Sequence, residues 1–388
     1  MTMTHKERVI TAINFEEPDF VPIDVSFMDL IHMEYITGKQ AYGAKSGAVI
    51  GATGDTKADV SYNEMIIHNQ KLENEARIKM DLDILTISDY KAFPEGYKHK
   101  FIDKDTYVDL WGKVYKIKRD AKTTWWVDGI IKTPEDLDKL KADFPSPKEF
   151  NYDIVDITVE EAEKNDYPIF AWVHTALMFP YLMMGGIDKM VLAIYRQPDF
   201  AKQVIKFVGD INFAITKRIL DRGKGHIDLL ADSDDIAGKM PFYPPEIFRE
   251  FFFPYLKRVV DEAHRRKLPY MKHTDGNLYP LLDDFIEIGI NGLHPIEPPY
   301  MSMAYMKQHE RYGDKFFLRG NVDCGEILVQ GTEADVRKDV RRCIDEAAAG
   351  GGFILADSNS LHSVVDTKNV LWMIDEGRKY GRYPLQKL

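Results

Sequence analysis

Cysteine is nearly absent: the 388-residue chain has two, Cys324 and Cys343. Two thiols cannot build a disulfide scaffold or fill an all-cysteine zinc site, and such sparse usage suits a reducing cytoplasm. Long apolar runs are missing as well. A membrane-crossing helix needs roughly 18 or more consecutive apolar residues. The richest stretches, 171–184 and 248–256, are broken by His174, Pro180, Arg249, Glu250 and Pro254. The opening 14 residues are charged and helix-like, without the apolar core of a secretory signal. Positive charge is in deficit, with 51 Lys and Arg against 62 Asp and Glu, a formal net charge of −11. That balance disfavours nucleic acids and anionic membranes, which want a basic face. These absences predict a soluble, cytoplasmic protein with a small-molecule rather than polyanionic partner.

What is present is an ordinary globular balance, 45% apolar and 29% charged, with ample material for a large core. Short apolar runs alternate with longer amphipathic stretches. The runs are 21–25, 83–87, 169–173, 227–231, 270–272, 292–296, 316–319 and 353–356. Each is strand-like, and each from the second onward follows a helix-like stretch. Eight alternating β/α units predict a parallel sheet closed into a (β/α)8 TIM barrel. An open doubly wound sheet is the alternative, but no glycine-rich dinucleotide turn follows the first run. We read the chain as one domain over 1–388.

Helix signals support the rhythm. Pro244-Pro245-Glu246 opens a helix to about Arg266, with proline where a missing N–H is harmless. Thr332, followed by acidic residues, caps a helix that ends at Gly350-Gly351-Gly352, and Asp366 caps the last helix, which ends near Gly381. Residues 101–131 break the pattern. Their alternating side chains predict a β-hairpin or small antiparallel sheet inserted between the second and third barrel strands.

In such barrels the chemistry sits at the carboxyl ends of the strands, so the residues after each run are the candidates. They are Ser26, Phe27, Met28, Asp29 and His32 after the first; Ser88 and Asp89 after the second; His174; Asp232, Asp234 and Asp235; His273 and Asp275; Glu297; Asn321, Asp323 and Cys324; and Asn359 and His362. His273 and Asp275 stand out, because residues i and i+2 of an extended segment point the same way and Gly276 permits a tight turn.

Residues 234–362 carry Asp-Asp-Ile-Ala-Gly, Pro-Pro-Glu-Ile-Phe-Arg-Glu-Phe, Lys-His-Thr-Asp-Gly-Asn, Gly-Leu-His-Pro-Ile-Glu-Pro, Gly-Asn-Val-Asp and Gly-Gly-Gly-Phe-Ile-Leu. Together with the opening Lys6-Glu7-Arg8-Val9 and Glu17-Pro18-Asp19-Phe20-Val21-Pro22, this resembles the uroporphyrinogen decarboxylase superfamily. True decarboxylases of that family hold a polycarboxylated tetrapyrrole with arginines near the N-terminus. Here no arginine stands between Arg8 and Arg77. The resemblance therefore implies the other branch, the corrinoid-dependent methyltransferases. In its thiol-using members a His-x-Cys pair and a later cysteine hold zinc. Here His273-Thr274-Asp275 stands where the pair would be, and Ser358 or Asn359 near the later cysteine.

With the thiolates replaced by oxygen donors, activating an oxygen is favoured over activating a thiol. The reading is methyl transfer from a small methylated substrate, an O-methyl aromatic ether, to the corrinoid of a partner protein. His273, Asp275 and Glu297 would hold zinc or deliver a proton, and Asp234 and Asp235 join them as catalytic candidates. His174, Asn321, Asn359 and His362 would contact the substrate's polar groups. Phe27, Met28, Trp125 and Trp126 would form an apolar wall. A cofactor-free decarboxylase of a smaller carboxylate and a non-catalytic corrinoid- or ligand-binding barrel are the alternatives, and a homodimer is left open.

Overall fold

The computed structural model describes residues 2–42, 61–118 and 123–385. Seven strands form one parallel sheet: Leu85–Ser88, Ile169–Val173, Ile227–Asp232, Tyr270–His273, Gly292–His294, Phe317–Val322 and Phe353–Asp357. Sheet order follows chain order, the signature of successive β/α units. The predicted first run occupies the eighth place and closes the (β/α)8 barrel, but not by a regular ladder. On one side, Leu355 N–H donates to Pro22 O and Asp24 N–H to Leu355 O, both at 2.9 Å. On the other, Asp83 N–H donates to Ile23 O at 2.8 Å, and the N–H of Ile23 is taken by the Asp83 carboxylate at 2.7 Å. Pro22 has no N–H to offer and a side chain replaces one ladder bond, so the segment pairs at single points.

Side chains complete the closure. Asp24 is fully buried between two buried arginines: Arg77 Nη1 donates to Oδ1 at 2.8 Å, and Arg319 Nη2 to Oδ2 at 2.7 Å. Arg77 also donates through Nη2 to the carbonyls of Val25 and Ser26, at 3.1 and 3.3 Å. At the opposite end, Asp83 receives Arg8, Arg378 and His5 and joins the first and last helices, His5–Ile13 and Thr367–Tyr380, to the barrel floor. Burial works to raise the Asp83 carboxyl, but the His5 hydrogen bond and the charges of Arg378 and Arg8 hold it below the usual range.

The period of two along each strand fixes what fills the barrel. Ile84, Phe170, Leu229, Ala231, Met271, Phe317 and Ile354 pack on one another inside it, plugged from below by Val9 and Ile13. The alternate residues, such as Leu85, Ile169, Ala171, Leu230 and Leu293, face the surrounding helices. Two residues further along the inward columns the side chains turn polar or amphipathic: Trp172 after Phe170, Ser233 after Ala231, His273 after Met271 and Arg319 after Phe317. Packing below and chemistry above thus come from the same columns.

The predicted helix ends hold. Thr332 caps Glu333–Ala347 in a capping box with Asp335, and Asp366 caps Thr367–Tyr380. The helix predicted from Pro245 runs to Arg265 but widens to a π-turn at Phe248–Phe252, just before Pro254, whose missing N–H cannot continue the α pattern. The insertion is a four-stranded antiparallel sheet, Lys100–Asp103, Thr106–Val108, Lys113–Lys118 and Thr123–Gly129. It packs on the helix Phe179–Met184. No helix among the described residues is long and apolar enough to cross a membrane.

Replacing Asp24 by asparagine leaves two buried guanidinium groups short of their shared counter-charge. The expected loss is about 3–5 kcal/mol, the usual result of removing one partner from a buried ion pair. Urea unfolding checks it: a loss under about 1 kcal/mol would show that Asp24 does not govern closure.

Candidate active site at the mouth of the barrel

A cavity opens at the carboxyl ends of the strands. Phe27, Met28 and Trp172 give it apolar walls, and Ser233, His273 and Asn359 give it polar ones. Three predicted residues cluster beside it. Asp235, His273 and Asp275 each offer a ligand atom within 4.8 Å of the others. His273 Nε2 lies 3.6 Å from Asp235 Oδ1. The turn that carries Asp275 needs glycine at 276, where φ is +89° and a Cβ would lie 2.3 Å from Gly238 O.

Asp275 is strongly perturbed. Burial, then the negative charges of Asp235 and Glu297, push its carboxyl up to about 7, against a hydrogen bond from Asn359 that favours the ionised form. Asn359 Nδ2 donates to Asp275 Oδ2 at 2.5 Å. Oδ1 is buried without a hydrogen-bond partner among the described residues. A proton carried by this group therefore belongs on Oδ1, since Oδ2 is already accepting. Glu297 does not join the cluster as a donor atom; its Oε2 accepts from Gly276 N–H at 2.7 Å and supports the turn.

His273 is held from behind by a histidine that sequence reasoning passed over. His294 Nδ1 lies 2.6 Å from His273 Nδ1, and its Nε2 lies 3.0 Å from Ser26 Oγ. Arg319 Nη1 donates to the same Ser26 oxygen at 3.0 Å. Burial is the main reason the His273 imidazole is lowered to about 4, and burial with the positive charge of Arg319 depresses His294 well below its ordinary value. Both rings are neutral near pH 7, so each has one N–H and one lone pair. Arg319 can only donate and fills one Ser26 lone pair, which leaves the Ser26 proton free to turn to His294 Nε2. In that arrangement His294 donates to His273, and His273 presents Nε2–H towards Asp235.

Two carboxylates and a neutral imidazole with one orphaned oxygen fit a divalent cation such as zinc. Capture through His273 Nε2 would require the line of protons to reverse, His273 donating to His294 and His294 to Ser26.

The other predicted residues are dispersed. Asp234 is fully buried and its Oδ2 accepts from Thr175 N–H, Thr175 Oγ1–H and Leu177 N–H, which shapes the loop after the third strand. Asn321 is buried away from the cavity, donating to Ile296 O and accepting from Arg342. His362 bonds the Cys324 carbonyl at 3.1 Å. His174 is buried against Asp89 and contacts Ser233 on the cavity wall. Trp125 and Trp126 do not line the cavity: Trp125 is exposed, and Trp126 Nε1 donates to Leu182 O, where the inserted sheet packs on the helix.

Residues missed by sequence reasoning line the cavity too. Glu73 and Arg77 come from the helix Tyr62–Lys79 and Lys91 from the turn after the second strand. Lys91 Nζ reaches Glu73 Oε2 at 2.5 Å, and although burial opposes ionisation, Lys91 and Arg77 hold the Glu73 carboxyl down at about 2. The available signal was a polar stripe at i, i+4 and i+8 (Asn69, Glu73, Arg77), which on most helices marks a solvated face.

Comparison with known proteins agrees with this architecture. Over 254 residues the chain is 20% identical to the methylcobamide:CoM methyltransferase MtbA of Methanosarcina acetivorans, covering 65% of this chain and 70% of the relative. The MtbA of Methanosarcina mazei is 22% identical over 263 residues, 64% of this chain and 70% of the relative. A solved structure of a methyltransferase from Methanosarcina mazei superposes with a TM-score of 0.67 at 17% identity, covering 97% of this chain and 99% of the other. Residues 115–380 match the family model described as uroporphyrinogen decarboxylase (URO-D), and the chain belongs to that family.

Proposed function

We propose that the protein is a methyltransferase that moves a methyl group from an aromatic methyl ether to the corrinoid of a partner protein. Its kinship with the methylcobamide methyltransferases supports corrinoid methyl transfer. The observation that carries the donor class is the Asp235–His273–Asp275 cluster, which offers nitrogen and oxygen atoms but no sulfur. Both cysteines are buried elsewhere, and burial pushes the Cys324 thiol up to about 11, so neither supplies a ready thiolate.

An ether gives up its methyl group only if the departing oxygen is stabilised, by a proton or a Lewis acid. Asp275 is suited to the first. Its proton sits on an oxygen that is unpartnered among the described residues, beside the cavity, with an affinity matched to neutral pH. Asn359 fixes the carboxyl plane from the cavity side. His273, locked by His294, presents its Nε2 edge to Asp235 and the cavity. Phe27, Met28 and Trp172 offer faces for an aromatic ring and keep water from the departing group. A zinc ion held by Asp235, His273 and Asp275 would supply Lewis acidity to the same oxygen. Asp234, Glu297, Asn321 and His362 act, on this reading, by holding the loops that carry the reacting groups.

With a reduced corrinoid protein and a panel of methoxylated aromatics, His273→Ala is expected to abolish measurable methyl transfer while circular dichroism stays unchanged. Undiminished turnover in that variant would sink the assignment. Asp275→Asn removes the proton and should lower the rate by about 10²–10⁴-fold.

The pH dependence separates the two uses of Asp275. Its raised affinity means that it is protonated below about pH 7 and ionised above. A rate that declines above pH 7 in chelator-treated enzyme is the expected result for acid use. Zinc affinity, read by competition with a chromogenic chelator, should rise roughly tenfold per pH unit up to pH 7 and then level off, because one proton must leave before the carboxylate can bind. Affinity flat across pH 5–8 would remove Asp275 from the donor set.

A further inference from the structure

The carboxyl ends of the second, third and fourth barrel strands bring Asp89, His174 and Ser233 into one line. His174 Nδ1 lies 2.8 Å from Asp89 Oδ1, and His174 N–H donates to Asp89 Oδ2 at 2.6 Å. One carboxylate therefore grips both the ring and its backbone. On the far side of the ring, Nε2 lies 3.2 Å from Ser233 Oγ. The ring is clamped as well as bonded: Phe179 stacks on it at 4.5 Å between centroids, and Tyr90 meets it edge-on at 4.0 Å. His174 is 1% exposed, whereas Ser233 is half-buried and lines the cavity. The connectivity is that of a serine–histidine–aspartate relay assembled from three neighbouring strand ends.

The direction of each hydrogen bond follows from the chemistry of the groups. A carboxylate only accepts, so His174 carries its proton on Nδ1. In the neutral ring Nε2 then has a lone pair, and the Ser233 hydroxyl donates to it. Ser233 has no second proton, so it turns oxygen lone pairs towards the cavity. An alanine-like wall would be indifferent to a ligand at this point. This wall offers an acceptor whose orientation is fixed two groups back.

We propose that Asp89, His174 and Ser233 form a recognition relay for a free hydroxyl on the substrate, which restricts the methyl donors to aromatic ethers that also carry a phenolic O–H. Ser233 accepts from that hydroxyl; His174 and Asp89 are positioning residues that set the direction of the Ser233 proton. The inference rests on the aromatic-ether reading of the cavity and adds the second functional group that the cavity demands.

The test uses the full chain without a corrinoid partner and two probes, guaiacol and its fully methylated counterpart veratrole, with binding measured by calorimetry. Wild type should bind guaiacol about tenfold or more tightly than veratrole, as expected when a capped hydroxyl leaves a half-buried acceptor unpaired. Ser233→Ala should shrink that preference to within about twofold. Because the oxygens of both probes can accept a proton, Asp89→Asn should shrink it likewise. Its amide oxygen can keep the His174 N–H, so its NH₂ faces Nδ1, the ring proton moves to Nε2, and Ser233 then offers its own proton to the cavity. A merely structural role for the three residues would weaken both probes together and leave their ratio intact. The proposal is overturned if either Ser233→Ala or Asp89→Asn keeps the wild-type ratio. If both ethers are demethylated with the corrinoid protein but the ratio survives in Ser233→Ala, only the relay assignment falls. If neither ether binds or reacts, the aromatic-ether reading falls with it.

Discussion

The closure of this barrel rests on one carboxylate, Asp24, held between two buried guanidinium groups. The first segment of the barrel is poor at making a ladder, because Pro22 lacks an N–H and the N–H of Ile23 is taken by the Asp83 side chain. Arg77 and Arg319 do what regular pairing does elsewhere. They bind the segment to the helix Tyr62–Lys79 on one side and to the strand Phe317–Val322 on the other. A charge pair in such a dry place is stable only when every partner is present. The same Arg319 also donates to Ser26, so the device that closes the barrel is continuous with the line of hydrogen bonds from Ser26 through His294 to His273. Fold closure and the placement of His273 thus belong to one hydrogen-bonded array.

Much of the fold was legible because strands and helices leave different periods in sequence. The runs at 169–173, 227–231, 270–272 and 353–356 fall on observed strands to within one residue at either end. Thr332 and Asp366 sit at the caps where their side chains reach the first-turn N–H groups. The inserted sheet was legible from alternation alone. The π-turn before Pro254 was not, because proline announces a disturbance without saying how the backbone will absorb it.

The candidate site was legible where it follows strand ends and illegible where it depends on tertiary pairing. His273, Asp235 and Asp275 come together because the fourth and fifth strands are neighbours, which their order in the chain already implies. His294 lay within a predicted strand, in plain view as part of Gly-Leu-His-Pro, but a histidine in an apolar run gives no sign of its ring partner. Glu73, Arg77 and Lys91 were hidden for the opposite reason. Charged residues at helical spacing read as a wet surface, and only the packing of that helix against the first segment turns the stripe inward. Trp125 and Trp126 show the converse: aromatic residues near a cavity in sequence went to a different surface, because the sheet that carries them found another helix to cover.

A second buried pair lies in the layer between strands and helices. Lys272 is fully buried, pairs with Asp232, and donates to the carbonyls of Asp234 and His273 at 2.6 and 2.7 Å. Burial first, and then neighbouring Asp234, lift the Asp232 carboxyl to about 6 despite that ammonium. The two carbonyls belong to the loops that carry Asp235 and Asp275, so a single ammonium acts as a spacer between the two arms of the cluster. Engineering usually gains stability by exchanging such an ion pair for well-packed hydrocarbon. In this barrel that exchange would remove the spacer along with the charges: two carbonyls and the Tyr270 hydroxyl would lose their partners, and the carboxylates of the cluster would lose their mutual calibration.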